Sequence, residues 1–304
     1  MSKQPVIGGQ AVIEGVMFTS GDAISLAVRK PNNKIHVEGR KRLSLVKKLH
    51  LQKIPFVRGA VALVDMMILG TSIMNKSADI ATDDGSKEDE KSTFWAVLVG
   101  ILVFILSIGI AVGMFKFLPL FIASLARDYF LITAPIVFTT IEGVVKLCLF
   151  LLYIAAIRLF PDIYRVFQYH AAEHMTIRAF EAKKKLTVAN VAKQSRYHPR
   201  CGTSFLIFVI IISIILYMII PLDLVLWQKL LARLALLPLL AGISYEVLRF
   251  TAWLYMIPGL SWVVWPGYAV QSLTTAVPEK EHIEVAIKSF NKCVSVRDGA
   301  KSKL

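Results

Sequence analysis

Phe94-Trp-Ala-Val-Leu-Val-Gly-Ile-Leu-Val-Phe-Ile-Leu-Ser-Ile-Gly-Ile-Ala-Val-Gly-Met-Phe115 runs for 22 residues without a charge. As a helix rising about 1.5 Å per residue, it is long enough for a hydrocarbon layer of roughly 30 Å. The stretch predicts a transmembrane helix, and three more follow it. Tyr129 to Ile157 is interrupted only by Glu142 and Lys146, and Thr203 to Leu222 carries no charge. A fourth crossing lies within Leu222 to Ile257. It begins either near Leu224, tolerating Lys229 and Arg233, or near Leu234, taking in Glu246 and Arg249.

Composition agrees. The 304 residues are 56% hydrophobic and only 18% charged, against about 45–50% and about 25% for soluble domains. Disorder is excluded by the apolar content. Three cysteines argue against a disulfide framework, and the opening MSKQPVIGGQ lacks the features of a signal peptide.

The formal charge is +14, and its placement is informative. Residues 1–93 hold 14 Lys and Arg, 161–202 hold eight, and the segment after Ile257 holds six. The connection 116–128 holds two and Pro221-Leu222-Asp223 none. The positive-inside rule then puts both termini and the 161–202 connection in the cytoplasm of a multi-pass protein of the cell membrane. The charge is topological, so the bilayer is the partner it implies and nucleic acid is not. Ile54 to Met74 is apolar but holds Arg58 and Asp65. As a span it would export the basic N-terminal segment, so it reads as an interfacial amphipathic helix.

The expected class is a mainly α membrane protein, with about four transmembrane helices and a small cytoplasmic α+β layer. Residues 1–53 form a β-rich segment whose 6–39 portion is a β-meander, with partial alternation at 23–29 and 34–37 and a turn at Pro31-Asn32-Asn33. Residues 54–81 are the interfacial helix, 82–93 an acidic linker, and 94–160 the first two spans. Residues 161–202 form a helical connection split at Lys183-Lys184-Lys185, and 203–257 hold the last two spans. The C-terminal 258–304 carries an amphipathic helix over 279–296, with Ile283, Ala286, Ile287, Phe290 and Val294 on one face. Trp253, Trp262 and Trp265 suit an interfacial anchor. No internal repeat supports an inverted-repeat transporter.

The chemistry concentrates after the second span, in Tyr169-His170-Ala171-Ala172-Glu173-His174. His170 and His174 stand one turn apart on a helix, the spacing at which two imidazoles grip one metal. His198-Pro199-Arg200-Cys201 adds an imidazole and a thiol at the start of the third span. Imidazole with thiolate favours zinc over iron or cobalt. H-x-x-E-H also matches the inverted zincin helix, which would make Glu173 a general base and Glu246 or Glu14 a remote extra ligand. Four ligands would close the site, as in structural zinc centres, whereas three leave a position for water. Glu142 with Lys146, and Glu246 with Arg249, read as ion pairs.

Gly8-Gly9-Gln10-Ala11-Val12-Ile13-Glu14-Gly15-Val16-Met17 resembles the opening of the YqhQ-like bacterial membrane proteins, a domain-of-unknown-function family predicted to be metal-dependent. The resemblance continues through Tyr169 to His174, His198 to Phe205, Tyr245 to Arg249, Pro258 to Leu260 and Gln271 to Thr275. It implies metal residues at His170, Glu173, His174, His198 and Cys201. One departure is Thr275-Ala276-Val277-Pro278, where the resemblance leads one to expect Thr-Arg-Glu-Pro.

Three functions follow. The first is a zinc-dependent hydrolase at the cytoplasmic face, acting on a protein or lipid-linked substrate with Glu173 as base. The second is a scaffold or adaptor stapled by a closed zinc site. The third is a transporter component with Glu142, Lys146 and Glu246 along a polar path.

Overall fold

The computed structural model describes residues 7–82 and 94–299, so most of the acidic linker lies outside the described residues. Four strands, β1 (Gly8–Val12), β2 (Gly15–Ser20), β3 (Ala23–Arg29) and β4 (Ile35–Lys41), form an antiparallel meander in the order β1-β2-β3-β4. The turns follow local chemistry. Gly21 and Asn33 take positive φ at the second and third reversals, conformations that Gly and Asn adopt at least cost.

Alternation assigns each strand two partners. Ala11, Val16, Phe18, Ala23 and Ala27 face one core, and Val12, Met17, Ile24, Leu26 and Val28 face another. A short helix, α1 (Leu45–Lys48), leads to α2 (Val57–Thr82), whose Leu69 and Ile73 close the second core. Asp65 of α2 binds Arg42 just beyond β4, and Lys76 binds Glu38 of β4 at 2.6 Å.

The first core is completed from far along the chain. α6 (Pro161–Glu181) brings Tyr169, Ala172 and Met175, α7 (Val188–Ala192) brings Val191, and α12 (Lys280–Asp298) brings Ile283, Ala286 and Phe290. The break between α6 and α7 falls at the expected lysines, and the buried face of α12 is the expected one. Ser25 of β3 donates to the Ser289 carbonyl at 2.8 Å, tying α12 to the sheet inside this core.

The apolar helices are α3 (Phe94–Val112), α4 (Leu118–Phe130), α5 (Pro135–Ile157), α8 (Thr203–Leu216), α9 (Leu226–Ala235) and α10 (Leu237–Leu254). Three helical runs are long and apolar enough to cross a membrane, Val57–Thr82, Leu98–Phe130 and Pro135–Ile157, and α9 with α10 makes a fourth if the bent pair is one span. The set differs from the expected one in four ways, the first being that Val57–Thr82, expected to lie at the interface, is among the helices long and apolar enough to cross. The first helix does not stop at Phe115, because a wide turn over Gly113–Phe117 admits Pro119 and carries the helix to Phe130. Thr203–Ile219 is a shorter apolar helix. The two registers weighed for the fourth crossing are both helical, joined at a 49° bend, with Pro238 in the first turn after it. Helix α11 (Trp265–Thr274) then returns beside α8.

Inside the helical layer Glu142 finds a stronger partner than Lys146. Arg233 of α9 reaches it with Nη2 at 2.6 Å and Nε at 3.0 Å, whereas Lys146 stands at 3.4 Å. The Arg233 guanidinium also lies 5.1 Å from the Tyr217 ring centre. Glu246 accepts from Arg58 of α2 at 2.6 and 2.7 Å, with Arg249 only at 3.9 Å. The three acidic and basic groups of the suggested polar path thus belong to two separate ion-pair groups. Removing one member of a buried pair leaves its partner uncompensated, at about 3–5 kcal/mol. Glu142→Leu should therefore lower the melting temperature of the detergent-solubilised protein strongly, and Glu142→Leu/Arg233→Met should recover much of the loss. Differential scanning fluorimetry of the single and double variants checks this.

Candidate metal centre

Helix α6 carries its chemistry on its most buried stretch, from Gln168 to Ile177. One turn apart, the His170 and His174 rings lie with centres 4.4 Å apart. Each ring is held by its Nδ1 on a backbone carbonyl, His170 on Thr274 at 2.8 Å and His174 on Arg196 at 2.7 Å. A carbonyl only accepts, so both Nδ1 atoms carry the proton and both Nε2 atoms keep a free lone pair. This is the arrangement by which proteins orient metal-binding imidazoles.

The two lone pairs meet a sulfur. Cys201 lies in the turn before α8, its Sγ 3.2 Å from His170 Nε2. The Thr203 amide donates to that sulfur at 3.4 Å and the Thr203 hydroxyl lies at 3.1 Å. One ligand atom each from His170, His174 and Cys201 lies within 4.8 Å of the others, and the group could hold a metal ion. Among the described residues, His174 Nε2 is buried with no hydrogen-bond partner, and so is Glu173 Oε2. Buried acceptors of this kind are costly unless a water or an ion satisfies them.

Electrostatics point the same way. Burial, with His170 nearby, holds His174 below its ordinary pKa. For Cys201 burial works to raise the pKa, but His174 and the Thr203 donors outweigh it and favour the thiolate. Burial pushes Glu173 up to about 8 against the opposing pull of His170 and a hydrogen bond from the Ala11 backbone. A cation seated in the group would reverse that penalty.

The sheet covers this centre. A Cβ on Gly9 would lie 2.7 Å from the Glu173 carboxyl, so only glycine admits Glu173 there. The cover is made by the Gly8–Ala11 backbone, and Glu14, weighed as a remote ligand, is not part of the group. Glu14 sits at the β1–β2 turn, bound by Arg165 at 2.5 Å and by the Tyr169 hydroxyl at 3.2 Å. Glu246, held by Arg58, is likewise placed away from the group. His198 lines the same cavity but not the ligand group. Its ring centre is 5.7 Å from that of His174, and its Nε2 donates to Glu181 at 3.3 Å. Burial lowers the His198 pKa despite Glu181.

Glu181, which also binds Arg200, is the member that sequence reading missed. Its signal was its place seven residues after His174, on the same helix stripe. Gln271 is the second. Its side chain accepts from the His198 amide at 2.8 Å and donates to the His198 carbonyl at 2.9 Å and to Ser204 at 3.0 Å, locking the loop that presents Cys201. The departure at Ala276 and Val277 falls outside the centre, since Ala276 is buried, Val277 is exposed and neither lines the cavity.

The cavity beside the group measures about 570 Å³. Its walls join the metal-type residues to Phe150, Ile154 and Ile157 of α5, Met66 of α2 and Leu206 of α8.

Known proteins place this arrangement in a family. The model of a family described as "Protein of unknown function (DUF1385)" matches residues 54–296, a span that includes His170, Glu173, His174 and Cys201. Over 299 residues the chain is 40% identical to "Uncharacterized protein YqhQ" of Bacillus subtilis (strain 168), covering 94% of this chain and 92% of that one. No solved structure matches. The chain belongs to the DUF1385 family.

One titration is decided by this geometry. For Glu14 burial works to raise the pKa, but Arg165 and Tyr169 outweigh it and hold the carboxyl below its ordinary 4.5. A depressed carboxylate adds stability above the unfolded pKa and loses it as the pH falls through the folded one. The melting temperature of Glu14→Gln should accordingly lie below wild type above pH 4.5, with the gap closing at lower pH. A thermal-shift series across pH in detergent reads it.

Proposed function

We propose that this DUF1385 member is a zinc-dependent hydrolase of the cell membrane, working at the cytoplasmic face. The observation that carries the reading is the three-ligand group, with each imidazole locked by a backbone carbonyl and one Glu173 oxygen in the same cavity without a partner among the described residues. Two imidazoles and a thiolate suit zinc. Three protein ligands beside a cavity leave a coordination position for water, whereas the closed scaffold site needs His198, whose Nε2 is engaged by Glu181. Bound zinc would supply Lewis acidity and an acidified water. In this reading Glu173 takes and returns the proton, Cys201 stays a thiolate under the Thr203 donors, and the Thr274 and Arg196 carbonyls hold both rings in register. The β1 backbone keeps bulk water from Glu173.

Packing supports the membrane topology. The sheet, α6 and α12 share one core, so all three lie on one side of any bilayer. The number of crossings between the sheet and α6 is then even. Leu98–Phe130 and α5 make two, and α2 as a third crossing would put α6 on the wrong side. Its contacts with the sheet favour the interfacial reading instead. Helix α3 exposes apolar side chains all round, Phe104 at 65% and Leu102 at 64% among them, as a lipid-facing helix does. With α8 and the bent α9–α10 pair as two further crossings, both termini are cytoplasmic.

Elemental analysis of protein purified without chelators should find near-stoichiometric zinc. It should be lost from His170→Ala, His174→Ala and Cys201→Ala and retained by His198→Ala and Glu173→Gln. In the cobalt-substituted protein, azide should shift the visible absorption if a position is open. An unchanged spectrum, with zinc also lost from His198→Ala, would favour the scaffold.

A further inference from the structure

The two edges of the sheet are treated differently. β4, at one edge, reads Ile35-His-Val-Glu-Gly-Arg-Lys41, the charged kind of strand that discourages further pairing. β1, at the other, reads Gly8-Gly-Gln-Ala-Val12 and holds neither charge nor proline. Among the described residues, its outer side carries no strand. Among the described residues, no backbone–backbone hydrogen bond from outside the sheet reaches Gly8–Ala11. Yet this bare edge lines the cavity of the metal-type group.

The direction of its free groups follows from the ladder. The Arg29 amide donates to the Glu14 carbonyl, so Gly15 and Val28 are a non-bonded pair of β2 and β3. Gly15 turns its own groups to Val12, and Ala11, one residue along, points away from β2. Both backbone groups of a strand residue share a side, and the side alternates along the strand. Gly9 therefore has the parity of Ala11, and its N–H and C=O also face outward, next to Glu173.

We propose that the outer edge of β1 is a docking strand for an extended polypeptide segment. The segment pairs with Gly9, runs past Glu173 toward His170, His174 and Cys201, and sets alternate apolar side chains against Phe150, Ile154 and Ile157. An extended backbone matches the alternating donors and acceptors of an edge strand. An acyl chain would leave them buried and unsatisfied, which is why a polypeptide and not a lipid is the occupant. The cavity has the size of an ordinary ligand site, about 300–1,000 Å³. The assignment rests on the hydrolase reading for its chemistry, in which water adds across an amide C–N bond to give a carboxylate and an amine. It does not rest on that reading for binding.

The test uses the full-length protein in nanodiscs, with empty nanodiscs subtracted. The probe is a fluorophore-labelled hexapeptide of alternating Leu and Thr, acetylated or amidated at its free end. Two twins carry N-methyl groups on alternate amides, one in each parity, and a dodecyl chain bears the same fluorophore. Strand pairing predicts that one twin binds at least about tenfold more weakly than the parent while the other stays close to it. Wild-type protein treated with a chelator should retain the parent's affinity, which separates docking from the metal. No binding of the parent up to about 1 mM, equal affinity of both twins and the parent, or tighter binding of the dodecyl probe would each overturn the proposal.

Discussion

One hydrophobic core assembled from three distant parts of the chain constrains everything else. Phe18 of β2, Met175 of α6 and Phe290 of α12 belong to it, and Phe18 meets Phe290 edge-on with ring centres 5.3 Å apart. Between those segments lie the chain's most apolar helices. They must leave this layer and come back to it, so they behave as hairpins whatever their surroundings. The positive-inside reading of the lysines and arginines reached the same pairing by an unrelated route.

The candidate metal centre is a by-product of that core. Helix α6 buries Tyr169, Ala172 and Met175 in it and turns His170, Glu173 and His174 into the cavity next door. A helix pinned on one face has little rotational freedom, and the two Nδ1–carbonyl bonds remove what remains at the rings. The supporting partners come from other elements, Thr274 from α11 and Arg196 from the loop after α7. Precise sites are built in this way, with the reacting groups held by neighbours that are themselves fixed.

Much of this was legible in the sequence because it rests on local patterns. The H-x-x-E-H spacing, the uncharged run at Phe94 and the alternation at Ala23 to Arg29 each report a period. What was not legible depends on contacts between segments far apart. Arg233 could be read as a tolerated charge in a span, but nothing local says that it faces Glu142, 91 residues earlier. Glu246 could be read as a remote ligand or as a partner of Arg249, and Arg58 claims it across 188 residues. His198 has the right chemistry for the metal-type group, yet the Glu181 carboxylate claims its nitrogen. Ligand type was readable, and ligand competition was not.

The charges inside the helical layer and those of the centre therefore differ in kind, although both groups are buried. Glu142 has a guanidinium on its oxygens and a lysine beside them, so its account closes within the protein. Glu173 is as buried but has one oxygen without a partner among the described residues, and His174 has a nitrogen in the same condition. A fold can tolerate one such group as a defect. The unpartnered His174 nitrogen stands with His170 and with a thiol held by Thr203, a group that could hold a metal ion.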